Sequence, residues 1–476
     1  MEKLKLAQIA CLAFLFCAAG AISAPAQTLT ALVSFDGSNG AYPDYPGSLP
    51  VQGPNGNFYG TTASFGANNE GTLFMMTPAG KLTTLYNFCS QASCLDGAIP
   101  TGKLALGTNG NFYGTTSSGG TNYSGTIFEV TPSGKLTTLY LFCTLSGCRD
   151  GSGPSAGLVQ ASDGNFYGTT AQGGVYNNGT VFKITPNGVL TTLASFDGTH
   201  GANPDFGALI QATDGNFYGT TDQGGTQGYG TVFKITPAGK LFTLYNFCSQ
   251  TSCTDGNYPY GGLVQAGNGK FYGATTEGGI NGSGTVFEIT AAGNLTTLHS
   301  FDSSDGAVPE ASLILGSDGN LYGSTAYAGA NVGGTAFKIT PAGIFTVLYN
   351  FCSQASCADG SGAFSGLVQA TNGKLYGTTF VGGLNNEGLI YNLSMGLRPF
   401  VETLPIAAKV GASLTILGNN LKSATSVSFN GTAATFTIVS NTEIKASVPT
   451  GATTGKVEVV TPTIMLRSNV PFRVIP

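Results

Sequence analysis

The sequence lacks tryptophan, has only two histidines, and is poor in charge, with 9% charged residues over 476 positions against a usual fraction of about 25%. A surface that binds nucleic acid needs clustered lysine and arginine. The chain has 19 of these residues against 24 acidic ones, so we expect no nucleic-acid partner. Two histidines are too few for a multi-histidine metal centre, and we predict neither a metal nor another cofactor.

Glycine is in excess, at 72 of 476 residues, which is roughly twice its usual frequency. Hydrophobic residues make up 41% of the chain and the formal net charge is only −5. A chain of this composition can bury a core, whereas disordered proteins combine low hydrophobicity with high net charge. The composition therefore indicates a folded, glycine-rich and charge-poor protein of the extracellular kind.

The first 26 residues have the order of a secretory signal peptide. Two lysines in residues 1–5 precede an apolar run over 6–22 and then small residues. A retained transmembrane anchor is the alternative, but the run is short and ends beside Pro25. We predict cleavage near residue 26, export to the cell surface or beyond, and no membrane span in the mature protein.

The cysteines outside the signal segment form four pairs, each with four residues between its members. In an exported protein such regular pairs indicate disulfides. Metal ligation is the alternative, but no pair has a histidine or a second cysteine pair nearby. The predicted bridges are Cys89–Cys94, Cys143–Cys148, Cys248–Cys253 and Cys352–Cys357.

A repeat of about 50 residues runs through most of the chain. Its marker is FYGTT or a near copy, which occurs seven times, with tyrosines at Tyr59, Tyr113, Tyr167, Tyr218, Tyr272, Tyr322 and Tyr376. Each unit offers an apolar strand, a DGN or NGN turn, the FYGTT strand, a loop, a GTVFKIT strand, a PAG-type turn and an LTTLYNF strand. Four strands at this period are typical of a propeller blade.

The ends of the array predict how it closes. A fourth strand at 29–35 precedes the first FYGTT, whereas the last unit ends at 388–394 with no fourth strand after it. The N-terminal strand should therefore pair with 389–394 and remove an exposed sheet edge. We predict a seven-bladed β-propeller over 27–396. An open solenoid is the alternative, but solenoids carry atypical capping repeats rather than this permutation.

The repeat also resembles a known family. The GNFYGTT, GG, GTVFKITPAG and LTTLYNF segments, in seven copies over 29–394, resemble the GloVer (Gloeo/Verruco) tandem repeat of exported bacterial proteins. The resemblance implies a secreted or surface repeat protein without an assigned biochemical activity. It supplies no catalytic residues.

Residues 400–476 form a second predicted domain. Short alternating strands separated by NG and Gly-Ala turns are spaced as in a β-sandwich. The segments SFNG at 428–431 and VPTGA at 448–452 resemble an IPT/TIG immunoglobulin-like domain. That resemblance implies a spacer or an interaction module.

One face of the propeller is the better place for a ligand. The turns between strands 1 and 2 and between strands 3 and 4 are all tight, and they should lie on one face. The 2–3 loops and the connections between repeats are long and variable, and they share the other face, which we call the loop face. Asparagine amides there could form hydrogen bonds with sugar hydroxyls. Tyrosine rings could stack on sugar rings. The candidate ligand-binding residues are Asn122, Tyr123, Tyr176, Asn177, Tyr229 and Asn281.

Turn formation is the alternative role for these loop asparagines. An Asx-Gly step recurs before each first strand, and its side chains could place a ring of oxygens around Ca²⁺. Turn formation is the alternative role for this set as well. That set is Asn39, Asp96, Asp150, His200, Asp255, Asp305 and Asp359.

Three acidic residues follow prolines in the connections that lack cysteine: Asp44, Asp205 and Glu310. Paired carboxylates carry out acid–base chemistry on glycosides, so these are weak catalytic candidates. No complete catalytic set is recognisable, which favours a non-catalytic protein that binds a glycan or a surface protein. A polysaccharide-acting hydrolase or lyase is the second hypothesis, and a purely structural surface repeat is the third.

Overall fold

A computed structural model describes residues 27–43 and 49–475. The predicted signal peptide, residues 1–26, lies outside these residues. Strands β1–β13 are Thr28–Ser34, Val51–Gln52, Phe58–Thr62, Thr72–Met76, Leu82–Asn87, Ala105–Leu106, Phe112–Thr116, Thr126–Val130, Leu136–Leu141, Val159–Gln160, Phe166–Thr170, Thr180–Ile184 and Leu190–Ser195. Strands β14–β28 are Ile210–Gln211, Phe217–Thr221, Thr231–Ile235, Leu241–Asn246, Val264–Gln265, Phe271–Thr275, Thr285–Ile289, Leu295–Ser300, Ile314–Leu315, Leu321–Thr325, Thr335–Ile339, Phe345–Asn350, Leu367–Gln369, Leu375–Thr379 and Leu389–Ser394.

These strands form seven four-stranded antiparallel sheets in the described part of the chain, arranged like propeller blades. Sheets 1 to 6 are β2–β5, β6–β9, β10–β13, β14–β17, β18–β21 and β22–β25. Sheet 7 combines β26–β28 with the N-terminal strand β1. Among the residues described, every sheet keeps two open edges, and none closes on itself as a barrel. The all-β, propeller-like prediction is confirmed.

The N-terminal strand pairs where the sequence predicts. β1 runs antiparallel to β28, with Leu29 opposite Leu393 and Ser34 opposite Leu389. The outer strand of sheet 7 is therefore β1, from the N-terminal end of the repeats. The first described strand thus belongs to the last sheet.

The core lies between neighbouring sheets because the FYGTT strand sends Phe and Tyr to opposite faces. The phenylalanine of one sheet packs on the tyrosine of the sheet before it: the rings of Tyr113 and Phe166 lie 4.0 Å apart. Gly114 must stay small, because an added Cβ would lie 2.5 Å from Phe128 Cζ. One such cluster joins sheet 7 to sheet 1 and contains Phe35, Phe58, Phe74, Met76, Tyr376 and Ile390.

The DGN and NGN turns are fixed by their first residue. The Asp163 carboxylate accepts the backbone N–H of Asn165 at 3.1 Å and the hydroxyl of Tyr167 at 2.9 Å. One side chain therefore closes the 1–2 turn and satisfies a tyrosine whose ring is buried between sheets. This explains why the repeat keeps Asp or Asn four residues before its tyrosine.

The C-terminal strands form a sandwich. Strands β29–β38 are Glu402–Leu404, Ala407–Lys409, Ser413–Leu417, Ser426–Phe429, Thr432–Ala433, Phe436–Ile438, Glu443–Ser447, Val457–Val460, Met465–Arg467 and Arg473–Ile475. Its two sheets have the orders β29-β31-β35-β34 and β33-β32-β36-β37, and β30 pairs with β38 in parallel. Ile416, Val427, Ile444 and Val459 lie in its buried core.

The sandwich sits on the tight-turn side of the repeat sheets. Thr442 Oγ1 donates to the carbonyl of Pro54 at 2.6 Å, in the 1–2 turn of sheet 1. Arg473 Nη1 donates to the carbonyl of Thr213 at 3.0 Å, in the 1–2 turn of sheet 4. These contacts place the sandwich on the tight-turn side, opposite the loop face. No helix in the described ranges is long and apolar enough to cross a membrane.

Candidate ligand site on the loop face

The four predicted disulfides are present, and each stiffens one loop-face connection. Every pair brackets a single turn of 3₁₀ helix, namely Ala92–Cys94, Ser146–Cys148, Thr251–Cys253 and Ala355–Cys357. A fifth 3₁₀ turn, Leu421–Ser423, belongs to the sandwich. The bridges close these connections into short, constrained loops.

The Asx-Gly residues serve these connections. Asp96 is fully buried and accepts hydrogen bonds from the Tyr86 hydroxyl at 2.7 Å, from the Ser90 N–H at 2.8 Å and from the Gln91 N–H at 3.1 Å. Asp150, Asp255 and Asp359 repeat this pattern. The carboxylates are therefore engaged as loop caps, and no group of three or more His, Cys, Asp or Glu among the described residues could hold a metal ion.

The predicted loop asparagines also make loop-closing contacts. Asn122 Nδ2 donates to the carbonyl of Cys143 at 2.7 Å, and Asn281 Nδ2 donates to that of Phe301 at 3.2 Å. Asn177 Oδ1 accepts the Gly173 N–H at 3.2 Å. Each amide thus ties its 2–3 loop to nearby backbone, which leaves only part of its hydrogen-bonding capacity for a ligand.

The three predicted tyrosines differ in exposure. Tyr123 is 67% exposed and Tyr176 is 59% exposed at the tips of their loops. Tyr229 is half-buried, with its ring centroid 5.5 Å from that of Tyr258 in an edge-to-face pair. The first two rings offer free faces for stacking, whereas the third is partly used inside the protein.

A central cavity lies beside the innermost strands. Its volume is about 190 Å³, and its lining combines apolar residues of several first strands with two charged groups, Lys103 and Glu310. Burial lowers the pKa of the Lys103 amino group, and the Glu402 carboxylate from β29 of the sandwich partly offsets this. Charge from the sandwich therefore reaches the region of the cavity.

Asp205 and Glu310 both lie near enough to Tyr260 for their charges to act on its hydroxyl. Burial raises the pKa of the Tyr260 hydroxyl to about 12, and the charges of Asp222, Glu310 and Asp205 add to the effect. Burial also raises the pKa of Glu310 to about 7. Asp44, the third acid in the prediction, lies outside the described residues.

Asp222 is the most enclosed member of this group, which we call the acidic cluster (Asp205, Asp222, Glu310 and the Tyr260 ring). Its side chain is 3% exposed. Burial raises its pKa to about 7, and the neighbouring Asp205 adds to the shift. Asn203 Nδ2 donates to Oδ2 at 3.4 Å, while Oδ1 of Asp222 and Oδ1 of Asp205 are buried without a hydrogen-bond partner in the described chain.

Sequence reasoning missed Asp222 and Tyr260, although both carry a signal. Asp222 is the acidic exception at the position after FYGTT, where the other repeats have Ala63, Ser117, Ala171, Thr276, Ala326 and Phe380. Tyr260 occupies the position after proline in the connection between those of Asp205 and Glu310. A comparison of the repeats would have identified this local departure from the common pattern.

Two family models match the chain. A model described as the Gloeobacter/Verrucomicrobia repeat matches residues 21–213, 92–266 and 205–421. A model of the IPT/TIG domain matches residues 402–473. No curated protein sequence matches the chain.

Solved structures with a similar fold are distant in sequence. A fungal alcohol oxidase of the AA5 family in complex with copper has a TM-score of 0.53 and 12% identity, with 90% of this chain and 98% of that chain covered. The extracellular domain assigned to a hybrid two-component system of Bacteroides thetaiotaomicron has a TM-score of 0.49 and 13% identity, with 93% and 57% covered. A structure from Bacteroides fragilis assigned as a 6-phosphogluconolactonase has a TM-score of 0.41 and 17% identity, with 75% and 89% covered.

These similarities concern the fold. The oxidase was solved with copper, and at 12% identity this says nothing of a metal in the present chain. The two histidines of this chain each bond an aspartate: His200 Nδ1 lies 2.8 Å from Asp197 Oδ2, and His299 Nε2 lies 2.8 Å from Asp305 Oδ2.

Proposed function

Since the chain belongs to the Gloeobacter/Verrucomicrobia repeat family and carries a C-terminal IPT/TIG domain, we propose that it acts outside the cell as a non-catalytic glycan-binding protein. Its ligand site is the loop face. Four disulfides support an extracellular location, because such bonds persist in oxidising compartments. The sandwich serves as a spacer on the opposite side.

The observation that carries this proposal is the pair of buried acceptors in the acidic cluster. Oδ1 of Asp205 and Oδ1 of Asp222 have no donor within the described protein. Buried polar atoms usually have a partner, and leaving one unpaired costs about 1–3 kcal/mol. Sugar hydroxyls are donors that can satisfy such oxygens. The exposed rings of Tyr123 and Tyr176 add surfaces on which sugar rings can stack.

A glycan array combined with turnover assays on polysaccharide mixtures tests this function. We expect retention of at least one glycan class without the release of shorter products. Asp222→Asn should weaken retention, because the amide offers one acceptor oxygen where the carboxylate offers two. Asp163→Asn is the matched control, since Asp163 lies in a tight 1–2 turn away from the loop face.

A polysaccharide-acting hydrolase or lyase is the second candidate. The raised pKa values of Asp222 and Glu310, both about 7, are in the range that suits a general acid near neutral pH. Turnover that is abolished by Glu310→Gln would establish this alternative over simple binding. If the protein neither retains nor turns over any glycan, the remaining hypothesis is a purely structural surface repeat.

A further inference from the structure

We propose that the central cavity binds a free amino acid with an apolar side chain, holding the carboxylate of that ligand at Lys103 and its ammonium group at Glu310. The site is separate from the glycan site of the proposed function, because Asp222, Tyr123 and Tyr176 do not line the cavity. The inference rests on two side chains of opposite charge in the wall of one apolar cavity, neither of which forms an ion pair within the described chain.

The cavity lies where the innermost strands of the repeat sheets converge. All seven sheets contribute to its lining, from Leu49, just before β2 of sheet 1, to Leu367, in β26 of sheet 7. Lys103 precedes β6 of sheet 2, and Glu310 precedes β22 of sheet 6. Sheets 3, 4 and 5 separate these two along the chain, so the two charges approach the cavity from different sides.

Lys103 departs from the repeat at its position. Ten residues before the repeat tyrosine, the other six units have Leu49, Gly157, Ala208, Gly262, Ser312 and Gly366. Small residues suit this position because neighbouring backbones approach closely there: a Cβ added to Gly157 would lie 2.6 Å from the carbonyl oxygen of Lys103. Packing of the repeat therefore gives no reason for a lysine, and its long cationic side chain is a local addition to the cavity wall.

Neither charge is neutralised by direct contact with the described residues. No ion pair among them includes Lys103 or Glu310. The Glu402 carboxylate acts on Lys103 and partly offsets the effect of burial on its pKa, but the two form no ion pair. Burial alone raises the pKa of Glu310. Enclosed charges are costly without a partner, and a ligand group between Lys103 and Glu310 would supply one to each.

The lining defines the chemical class of the ligand. The Lys103 ammonium group can donate a charge-assisted hydrogen bond to a carboxylate, and the Glu310 carboxylate can accept one from an ammonium group. Much of the remaining wall is apolar and includes Ile210, Leu263 and Leu313. A sugar would leave hydroxyl groups unpaired against this wall, and an inorganic ion could match only one of the two charges. A molecule with both charges and an apolar side chain matches all three features.

The size of the cavity limits the ligand to a small molecule. Its volume is about 190 Å³. An apolar cavity of about 150 Å³ in a protein can hold benzene, whereas drug-sized ligands occupy pockets of roughly 300 Å³ or more. A single amino acid such as leucine lies in the range between these limits.

Calorimetry on the disulfide-bonded protein tests the inference with three probes. Leucine carries both charges, 4-methylpentanoate lacks only the ammonium group, and 3-methylbutylamine lacks only the carboxylate. We expect leucine to bind at least about tenfold more tightly than either analogue, since each analogue loses one hydrogen bond between charged groups.

Two variants assign each end of the ligand to its side chain. Lys103→Met should reduce the affinity for leucine to that for 3-methylbutylamine, and Glu310→Gln should reduce it to that for 4-methylpentanoate. Lys135→Met is the control, because this exposed lysine follows a tight 3–4 turn, and it should keep the preference for leucine. Glu402→Gln should keep it as well, since Glu402 does not line the cavity.

The other outcomes count against the inference. Equal affinities of the unchanged protein for all three probes would show that the cavity takes only an apolar body, and no heat with millimolar leucine would overturn amino-acid binding. Loss of leucine binding in Glu402→Gln would show that Lys103 acts through the sandwich. Melting temperatures identify variants that do not fold, in which case the comparison of probes on the unchanged protein still decides. Glycan retention without leucine binding would overturn this inference alone.

Discussion

The ring of Phe58, in the first repeat sheet, lies 4.3 Å from the ring of Tyr376, in the last. The same phenylalanine–tyrosine contact joins successive sheets elsewhere, as between Tyr59 and Phe112 at 4.2 Å. A hydrogen bond supports the contact, because Gln52 Oε1 accepts the Thr371 N–H at 3.0 Å. The first and last repeat sheets therefore pack against each other through the same kind of contact that joins successive sheets.

This relationship predicts that the N-terminal strand stabilises the whole array. Deleting residues 29–35 removes the partner of β28 and the buried Phe35. Loss of one buried phenylalanine alone typically costs about 3–5 kcal/mol, so calorimetry should show a clearly lower melting temperature. Phe242→Ala is the control, since that ring is 37% exposed and its loss should have a much smaller effect. An unchanged melting temperature in the deletion variant would contradict the interlocked ends.

The cysteines predict a fully oxidised mature protein. Mass spectrometry of peptides should find the four local bridges and no free thiol outside residues 1–26, the predicted signal peptide. Replacing Cys89 and Cys94 together by serine should cost about 2 kcal/mol at most, because each bridge closes a short loop. Zinc in stoichiometric amounts, with thiols released by a chelator, would reverse the assignment.

The fold was largely predictable because its determinants lie close together in the sequence and are repeated. Asp163 and Tyr167 are four residues apart, and the same pairing in each unit fixes the hairpin that a DGN motif indicates. The pairing of β1 with β28 is long-range, but it followed from counting fourth strands. Periodic apolar patterns specify which face of each strand is buried.

The candidate site was predictable only in part. Asp205 and Glu310 stood out beside their prolines, yet their relation to each other depends on how three sheets pack around Tyr260. Asp222 follows the adjacent FYGTT strand, and its effect on Tyr260 depends on how these sheets pack. The approach of Glu402 to Lys103 likewise arises from the way the sandwich meets the repeat sheets. Side chains brought together by packing between distant segments leave little trace in local spacing.

The acidic cluster predicts a stability that falls as pH rises. Burial raises the pKa of Asp222 from 3.8 to about 7, so the folded protein favours its protonated form. The stabilisation is complete below about pH 4 and is lost as pH rises toward 7. Asp222→Asn should therefore raise the melting temperature at pH 8 and leave it nearly unchanged at pH 4. The difference corresponds to roughly a few kcal/mol.

Several neighbours contribute to this pH dependence. The groups that act on Asp222 or are acted on by it are Asp205, Asn203, Gln223, Tyr258 and Tyr260. Asp163→Asn serves as the control, and its melting temperature should follow the wild-type dependence on pH. A variant lacking Asp222 that is destabilised equally at both pH values would show that this carboxyl group has an ordinary structural role.

The last prediction concerns the loop-face tyrosines. If the glycan stacks on exposed rings, Tyr123→Ala together with Tyr176→Ala should weaken binding by about 1 kcal/mol or more for each ring. Stability should change little, because both side chains are more than half exposed. Adding Tyr229→Ala should weaken binding further and also lower the melting temperature, since that ring packs against Tyr258. Asn187→Ala, in a tight 3–4 turn, should affect neither property. Full-strength binding by the triple variant would remove the tyrosines from the site, and the sandwich would then be the next surface to test.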